Sequence, residues 1–144
     1  MRNYKDLQDT IDKVIGKIGL EQTVLLLEGF INNAPIHNKS RKKMISDYIV
    51  EAAIETFHLN KKTFLTNGER DYRDARYCCF YLMRKYVDNT MTKTARFFDV
   101  SDRQVQYGYN VVAERLAFPK FHPKFIENYK TIELRIITLL GKGE

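Results

Sequence analysis

Apolar residues recur at intervals of three and four along almost the whole chain, the period that gathers them on one face of an α-helix. Tyr4, Leu7, Ile11, Val14, Ile15 and Ile18 keep this spacing and predict an amphipathic helix over residues 3–18, which Gly19 breaks. Leu20, Val24, Leu27 and Ile31 predict a second helix running to Asn32-Asn33, with Pro35 closing it off. The two together read as a helical hairpin. The stretch "APIHNKSR", residues 34–41, is the best boundary in the chain. It separates a hairpin over residues 1–35 from a larger unit over residues 36–144.

Ser40 is read as the cap of the next helix, accepting from a free N–H of its first turn. Met44, Ile45, Tyr48, Ile49, Ala52, Ala53 and Phe57 mark one buried face of that helix, down to His58. "LNKKTFLTNGERDY" predicts a short helical turn through Phe64-Leu65 that Asn67-Gly68 ends. "ARYCCFYLMRKYV" is apolar on nearly every side, as a central helix with several neighbours would be. Further helices are expected over residues 90–98 and from residue 101 to about 116, the latter with Val105, Val112 and Leu116 inward. Pro119 and Pro123 forbid continuation, and Pro123 suits the first position of a last helix striped by Phe125, Tyr129, Ile132, Ile136 and Leu139. No strand-like alternation of useful length occurs. The fold class is all-α, a multi-helix bundle.

Within it, "TKTARFFDVSDRQVQYGYNVV", from Thr92 to Val112, has the pattern of a DNA-reading helix-turn-helix. Ala95 is the small residue such a motif needs where its helices cross. Asp99 stands where the turn needs left-handed backbone, which Asp tolerates better than most side chains. Val100 plugs the space between the helices, Ser101 is a natural N-cap, Val105 points inward and Gly108 permits close approach to a neighbour. Asp102, Arg103, Gln104, Gln106, Tyr107 and Asn110 are left on the outer side or leading turn. Arg can bind guanine bidentately, and Gln and Asn can do the same for adenine. An ordinary corner between two helices would show the same pattern, so charge has to be weighed beside it.

The net charge is +6, but residues 1–34 hold four Lys/Arg against five Asp/Glu, which leaves +7 on the rest. Basic residues cluster at Lys39, Arg41, Lys42 and Lys43, at Lys61 and Lys62, and at Arg70, Arg73 and Arg76. A surplus concentrated in one part of the chain suits a polyanionic partner, because each neutralised phosphate releases counterions. Cys78 and Cys79 are adjacent in an apolar stretch, read as small buried hydrophobes, and His37, His58 and His122 are too scattered to suggest a metal. No metal, cofactor or membrane partner is expected. With no long apolar run and no signal-like start, the expectation is a cytoplasmic, nucleoid-associated protein.

From about residue 46 to 136 the chain resembles the C-terminal DNA-binding domain of the bacterial replication initiator DnaA. "DYIVEAAIETFHLNKKTFL" looks like that domain's entry helix and following turn. "RDYRDARYCCFYLMRKYVDNTMTKTARFF" looks like its basic loop, central helix and first motif helix, and "HPKFIENYKTIELRI" like its closing helix. The resemblance implies a Trp-repressor-like helix-turn-helix fold that binds double-stranded DNA. It implies that Arg76, with Arg73 beside it, enters the minor groove, and that Thr90, Met91 and Thr92 meet the backbone and a thymine methyl.

The family's hallmark Gly-Gly-Arg-Asp-His-Thr-Thr-Val is replaced here by Asp99-Val100-Ser101-Asp102-Arg103-Gln104-Val105-Gln106. Aligned without a gap, Arg103 and Gln104 take the places of His and Thr. Aligned on the inward valine, Ser101, Asp102 and Arg103 take the base-reading places. Both leave groove reading with the same helix, but not the family's usual initiator box. The phosphate-binding motif of the family's ATPase module is missing from the sequence.

No nucleophile motif, metal cluster or Gly-rich loop points to an enzyme, and Glu51 and Glu55, one turn apart, read as a solvated face. The expectation is a sequence-specific DNA-binding regulator of replication or transcription. Its major-groove face would be Ser101, Asp102, Arg103, Gln104, Gln106, Tyr107 and Asn110. Arg73 and Arg76 would reach the minor groove, and Lys61, Lys62, Thr90, Thr92, Lys93 and Arg96 the phosphates. The hairpin has three readings: pairing with another copy, meeting a replication or transcription partner, or completing the core. The competing class is a protein-interaction adaptor that kept the fold and lost DNA affinity, to which Asp99 and Asp102 near the motif lend weight.

Overall fold

The computed structural model describes residues 2–33, 39–87 and 90–141, and every regular element among them is helical. Residues 34–38, at the boundary expected between hairpin and main unit, lie outside the described residues, as does His37. Helix α1 (Tyr4–Ile18) opens with a reciprocal cap in which the Asn3 side chain accepts from the Asp6 N–H and Asp6 accepts from the Asn3 N–H. It ends at Gly19, whose φ of 88° lies in the region that glycine adopts without strain. Helix α2 (Leu20–Asn33) follows at once and packs on α1.

Helix α3 (Lys39–Phe57) begins one residue before Ser40, so Ser40 is a helical residue rather than the expected cap. A 3-10 turn at Lys61–Thr63, capped by Asn60 accepting from the Lys62 N–H, precedes a turn through Phe64 and Leu65. Helix α4 (Arg70–Tyr86) is central and packs against α3, α5, α6 and α7. It starts five residues ahead of the apolar run that announced it. Its first two turns, Arg70 to Arg76, are polar on the outside while Tyr72, Asp74 and Ala75 are buried inside. Helix α5 (Met91–Phe98) and helix α6 (Asp102–Ala117) pack on each other and on α4. A short 3-10 turn, Pro119–Phe121, leads to α7 (Pro123–Gly141), which has Pro123 at its first position as expected and lies along α3.

One continuous core of buried side chains, from Ile45 on α3 to Leu140 on α7, joins α3 through α7. Its centre is α4, where Cys78, Cys79, Leu82 and Met83 have no exposed surface. Burial pushes both thiols above the usual cysteine range, and the two cysteines are not joined to each other. No apolar side chain of α1 or α2 is buried in this core among those described. No helix among the described residues is long and apolar enough to cross a membrane.

Two polar clusters tie α4 to its neighbours at opposite ends. Near its start, Asp74 pairs with Arg115 of α6 at 3.1 Å, and the Arg115 guanidinium lies 4.6 Å from the Phe125 ring centre on α7. Near its end, one oxygen of Glu133 on α7 accepts from Lys85 at 2.7 Å, Tyr86 at 2.8 Å and Tyr129 at 3.1 Å. Burial alone would raise the Glu133 pKa, but the bonds from Lys85 and Tyr86 outweigh it and leave it below the ordinary value. The same burial, reinforced by Glu133, raises Tyr86 and Tyr129, so both remain donors.

A carboxyl whose pKa is depressed by folding stabilises the protein above its unfolded value. That contribution is lost as pH falls through the folded value, which here lies below the 4.5 of an ordinary glutamate. Glu133→Gln is expected to lower stability at neutral pH by about 1–3 kcal/mol and to flatten the acid limb of the stability profile. Urea unfolding at several pH values checks both effects. An acid limb unchanged by the substitution would remove Glu133 from this role.

Candidate nucleic-acid interface

The segment between α5 and α6 turns because Asp99 takes a left-handed backbone conformation and Ser101, two residues on, an extended one. Asp99 is left-handed, with φ 55° and ψ 50°, and its N–H reaches back to the carbonyls of Ala95 and Arg96. The Val100 N–H donates to Ala95 at 3.0 Å, closing the end of α5, and its side chain packs on the core. Ser101 is extended and caps α6 reciprocally: its hydroxyl accepts from the Gln104 N–H, and the Gln104 side chain accepts from the Ser101 N–H at 3.1 Å. Thr92 on α5 donates to Asp102 on α6 at 2.9 Å, bridging the two helices across the turn.

Beneath the turn, Ala95 and Phe98 of α5 and Val105, Gly108 and Val112 of α6 are buried. Gly108 lies so close to α4 that a Cβ there would stand 2.7 Å from Phe80 and nearer still to the Tyr77 ring. Above it, Ser101, Asp102, Arg103, Gln104, Gln106, Tyr107 and Asn110 are all exposed. The separation expected of the amphipathic α6 is therefore present along its whole first half.

These outward residues differ in how far they are engaged. Gln104 is held by the cap and Asp102 by Thr92, while Gln106 donates to Asn110 at 2.8 Å along the helix face. Arg103 makes no hydrogen bond or ion pair with another described residue. Tyr107 is 62% exposed and stands edge-on to Tyr77, with ring centres 6.0 Å apart. Arg103 and Tyr107 form a ridge between two hollows. One is lined with Met91, Asp102, Gln106 and Asn110, the other with Arg73, Arg76, Tyr77 and Gln104.

Arg73 and Arg76 thus come together with the leading turn of α6, but not from a loop. Both sit within the first two turns of α4, whose start at Arg70 carries Asp71 at its positive end and binds the Arg73 N–H to the Glu69 carbonyl. Arg73 is exposed. Arg76 is half-buried and donates to the carbonyls of Phe64 and Asn67, each at 2.7 Å. Burial, with Arg73 contributing, lowers its pKa from the ordinary arginine value, and the two carbonyls take up its charge. In this structure Arg76 clamps the turn at residues 64–67 onto α4.

The residues assigned to phosphate contact are spread more widely. Thr90 is exposed but serves as the cap of α5, accepting from the Lys93 N–H at 3.1 Å. Thr92, Lys93 and Arg96 are exposed on α5, Thr92 beside the start of α6. Lys61 and Lys62 are exposed on the 3-10 turn. Lys61 lines a separate groove with Asp47, Glu51, Leu65 and Phe97, so only Leu65 is shared with the Arg73 hollow. Tyr77, which supports Tyr107 and closes on Gly108, was not singled out as a functional residue by the sequence. Its place one turn after Arg73 on an outer face of α4 is the signal that could have found it.

Compared with protein-family models, with curated proteins and with solved structures, the chain matches none.

Proposed function

We propose that this chain is a sequence-specific double-stranded DNA-binding protein that regulates replication or transcription and reads the major groove with the leading turns of α6. The observation that carries this reading is the exposure of Ser101 at the cap and of Asp102, Arg103, Gln104, Gln106, Tyr107 and Asn110 on one side of α6, with Arg103 making no hydrogen bond or ion pair with another described residue. The buried Val105, Gly108 and Val112 fix the opposite side to the core, so that face is held rigid for docking.

Arg103 supplies two parallel donors for the acceptor edge of a guanine, and the Gln106–Asn110 pair exchanges its mutual bond for an adenine. Ser101 and Gln104 hold the helix end and present its free N–H groups toward a phosphate. Asp102, bridged to Thr92, accepts from a cytosine amino group or excludes a phosphate from that spot. Arg73 extends the positive edge of the ridge toward the minor groove, while Arg76 acts indirectly by holding the neighbouring turn. Lys93 and Arg96 on α5, with Lys61 and Lys62 further out, fix register on the phosphates without reading sequence.

Selection from a random duplex pool followed by sequencing tests the proposal. The selected pools should converge on a motif, and affinity should fall steeply between about 50 and 200 mM salt. Arg103→Ala should relax preference at one position at a cost of about 1–3 kcal/mol. Lys61→Ala should instead weaken all sequences alike. No enrichment even at low salt would rule out DNA reading and leave an interaction adaptor built on the same helices.

Gly108→Ala provides a separate check on the scaffold. Alanine favours a helix by nearly 1 kcal/mol over glycine, but its methyl group would overlap Phe80 and Tyr77, with overpacking of about 1–3 kcal/mol. Phe80 cannot yield, being buried and edge-on to Phe98 with ring centres 4.9 Å apart. The expected result is a lower thermal midpoint together with weaker binding to every sequence. A midpoint equal to that of the wild type would show that α6 does not need this closeness.

A further inference from the structure

We propose that the α1–α2 hairpin joins two copies of this chain into a symmetric dimer, an inference independent of whether the chain reads DNA. Eight of the fifteen exposed large apolar side chains among the described residues lie between Tyr4 and Leu27. The other seven are dispersed over α3, α6, α7 and the connections between helices. No residue of α1 is buried, and among the described side chains of α2 the buried one is Thr23, whose hydroxyl returns to the Gly19 carbonyl at 2.8 Å. The hairpin is therefore locally well formed, capped at Asn3 and turned at Gly19, yet among its described apolar side chains none is fully buried, Ile11, Val14 and Ile15 being half-buried.

Helix α2 states the need for a partner most clearly. Leu20, Val24, Leu25, Leu26 and Leu27 are each between 42% and 64% exposed and point to more than one side of the helix. An α-helix apolar on several sides requires more than one neighbour, and α1 supplies one. The exposed apolar surface between Tyr4 and Leu27 is on the order of 800 Å², the share each partner gives to a standard stable interface. Elsewhere among the described residues the exposed large apolar side chains are fewer and more spread out: Leu134 with Ile137 on α7, Phe118 with Phe121 ahead of it, and Met44, Leu65 and Tyr107 apart from these.

Charge selects a second copy as the occupant. Helix α1 carries Asp6, Asp9 and Asp12 in its first part and Lys13 and Lys17 in its last, with Lys5 as the exception. Two α1 helices laid antiparallel place Asp9 and Asp12 of each against Lys17 and Lys13 of the other, the self-complementary pattern a two-fold axis requires. The hairpin region is nearly neutral, at −1 against +7 for the rest, so the copies meet where they repel least.

Sedimentation equilibrium of the full chain without DNA should give twice the 17.0 kDa mass of one copy. The double variant Leu25→Lys, Leu26→Lys should raise the dimer dissociation constant by ~100-fold or more, with thermal unfolding of the α3–α7 core retained. Asp9→Lys with Asp12→Lys leaves the apolar surface intact and should weaken self-association by ~10-fold. Mixing it with a copy carrying Lys13→Asp and Lys17→Asp should restore pairing between unlike copies. A wild-type chain that stays monomeric to ~100 µM overturns the proposal, as does a dimer indifferent to the leucine substitutions. Absence of rescue in the mixture overturns the antiparallel charge pairing.

Discussion

How closely α6 can lie against α4 decides what the rest of the molecule can do. Where the two helices meet, Gly108 removes the one side chain that would hold them apart, and Tyr77 and Phe80 fill the space instead. Phe80 then carries the contact onward to Phe98 at the end of α5, so three helices share one aromatic junction. Val105 and Val112 extend the same seam in both directions along α6. With its inner face fully used, α6 has one side left, and that side holds the polar residues. The exposure of Arg103 and Tyr107 thus follows from packing beneath them rather than from any local preference of their own.

Polar interactions are distributed to hold this arrangement at its ends. Asp74 with Arg115 pins the start of α4 to the last turn of α6, while Glu133 gathers Lys85, Tyr86 and Tyr129 where α4 ends against α7. Breaking a partly buried pair leaves a charge without its counterpart, which is why such clusters are sensitive to single substitutions. Arg76 does similar work on the outside, its guanidinium closing the turn at residues 64–67. Positive charge near α6 is therefore of two kinds: Arg103 and Arg73 face solvent, whereas Arg76 is absorbed by the backbone.

Much of this was legible in the sequence, for reasons that differ by residue. Helix spans followed from the three-and-four spacing because each helix buries one stripe, and Pro123 marked the start of α7 because proline loses nothing there. Asp99 was legible because few side chains tolerate a left-handed turn, and Ser101 because an extended cap needs a short oxygen acceptor. The start of α4 was not: its opening turns carry Arg70, Asp71 and Arg73 on an outer face, and polar residues at a helix start resemble a loop. Ser40 misled in the opposite way, standing inside α3. Gln104 was assigned to base reading, although Ser-x-x-Gln is also the signature of the reciprocal cap it forms. Glu133 could not be found at all, since Lys85 and Tyr86 lie 48 and 47 positions away and only the packing of α4 on α7 brings them near.

The turn at Asp99 has a consequence for how such a protein can be altered. Residues that build the corner, Ala95, Asp99, Val100, Ser101 and Gly108, are distinct from those that protrude from it, Arg103, Gln106, Tyr107 and Asn110. All four protruding residues are exposed, and Tyr107 rests on the half-buried Tyr77 ring. The residues that shape the corner and those that project from it are thus separate sets of positions, so the outer surface of α6 can be altered while the turn beneath it stays the same.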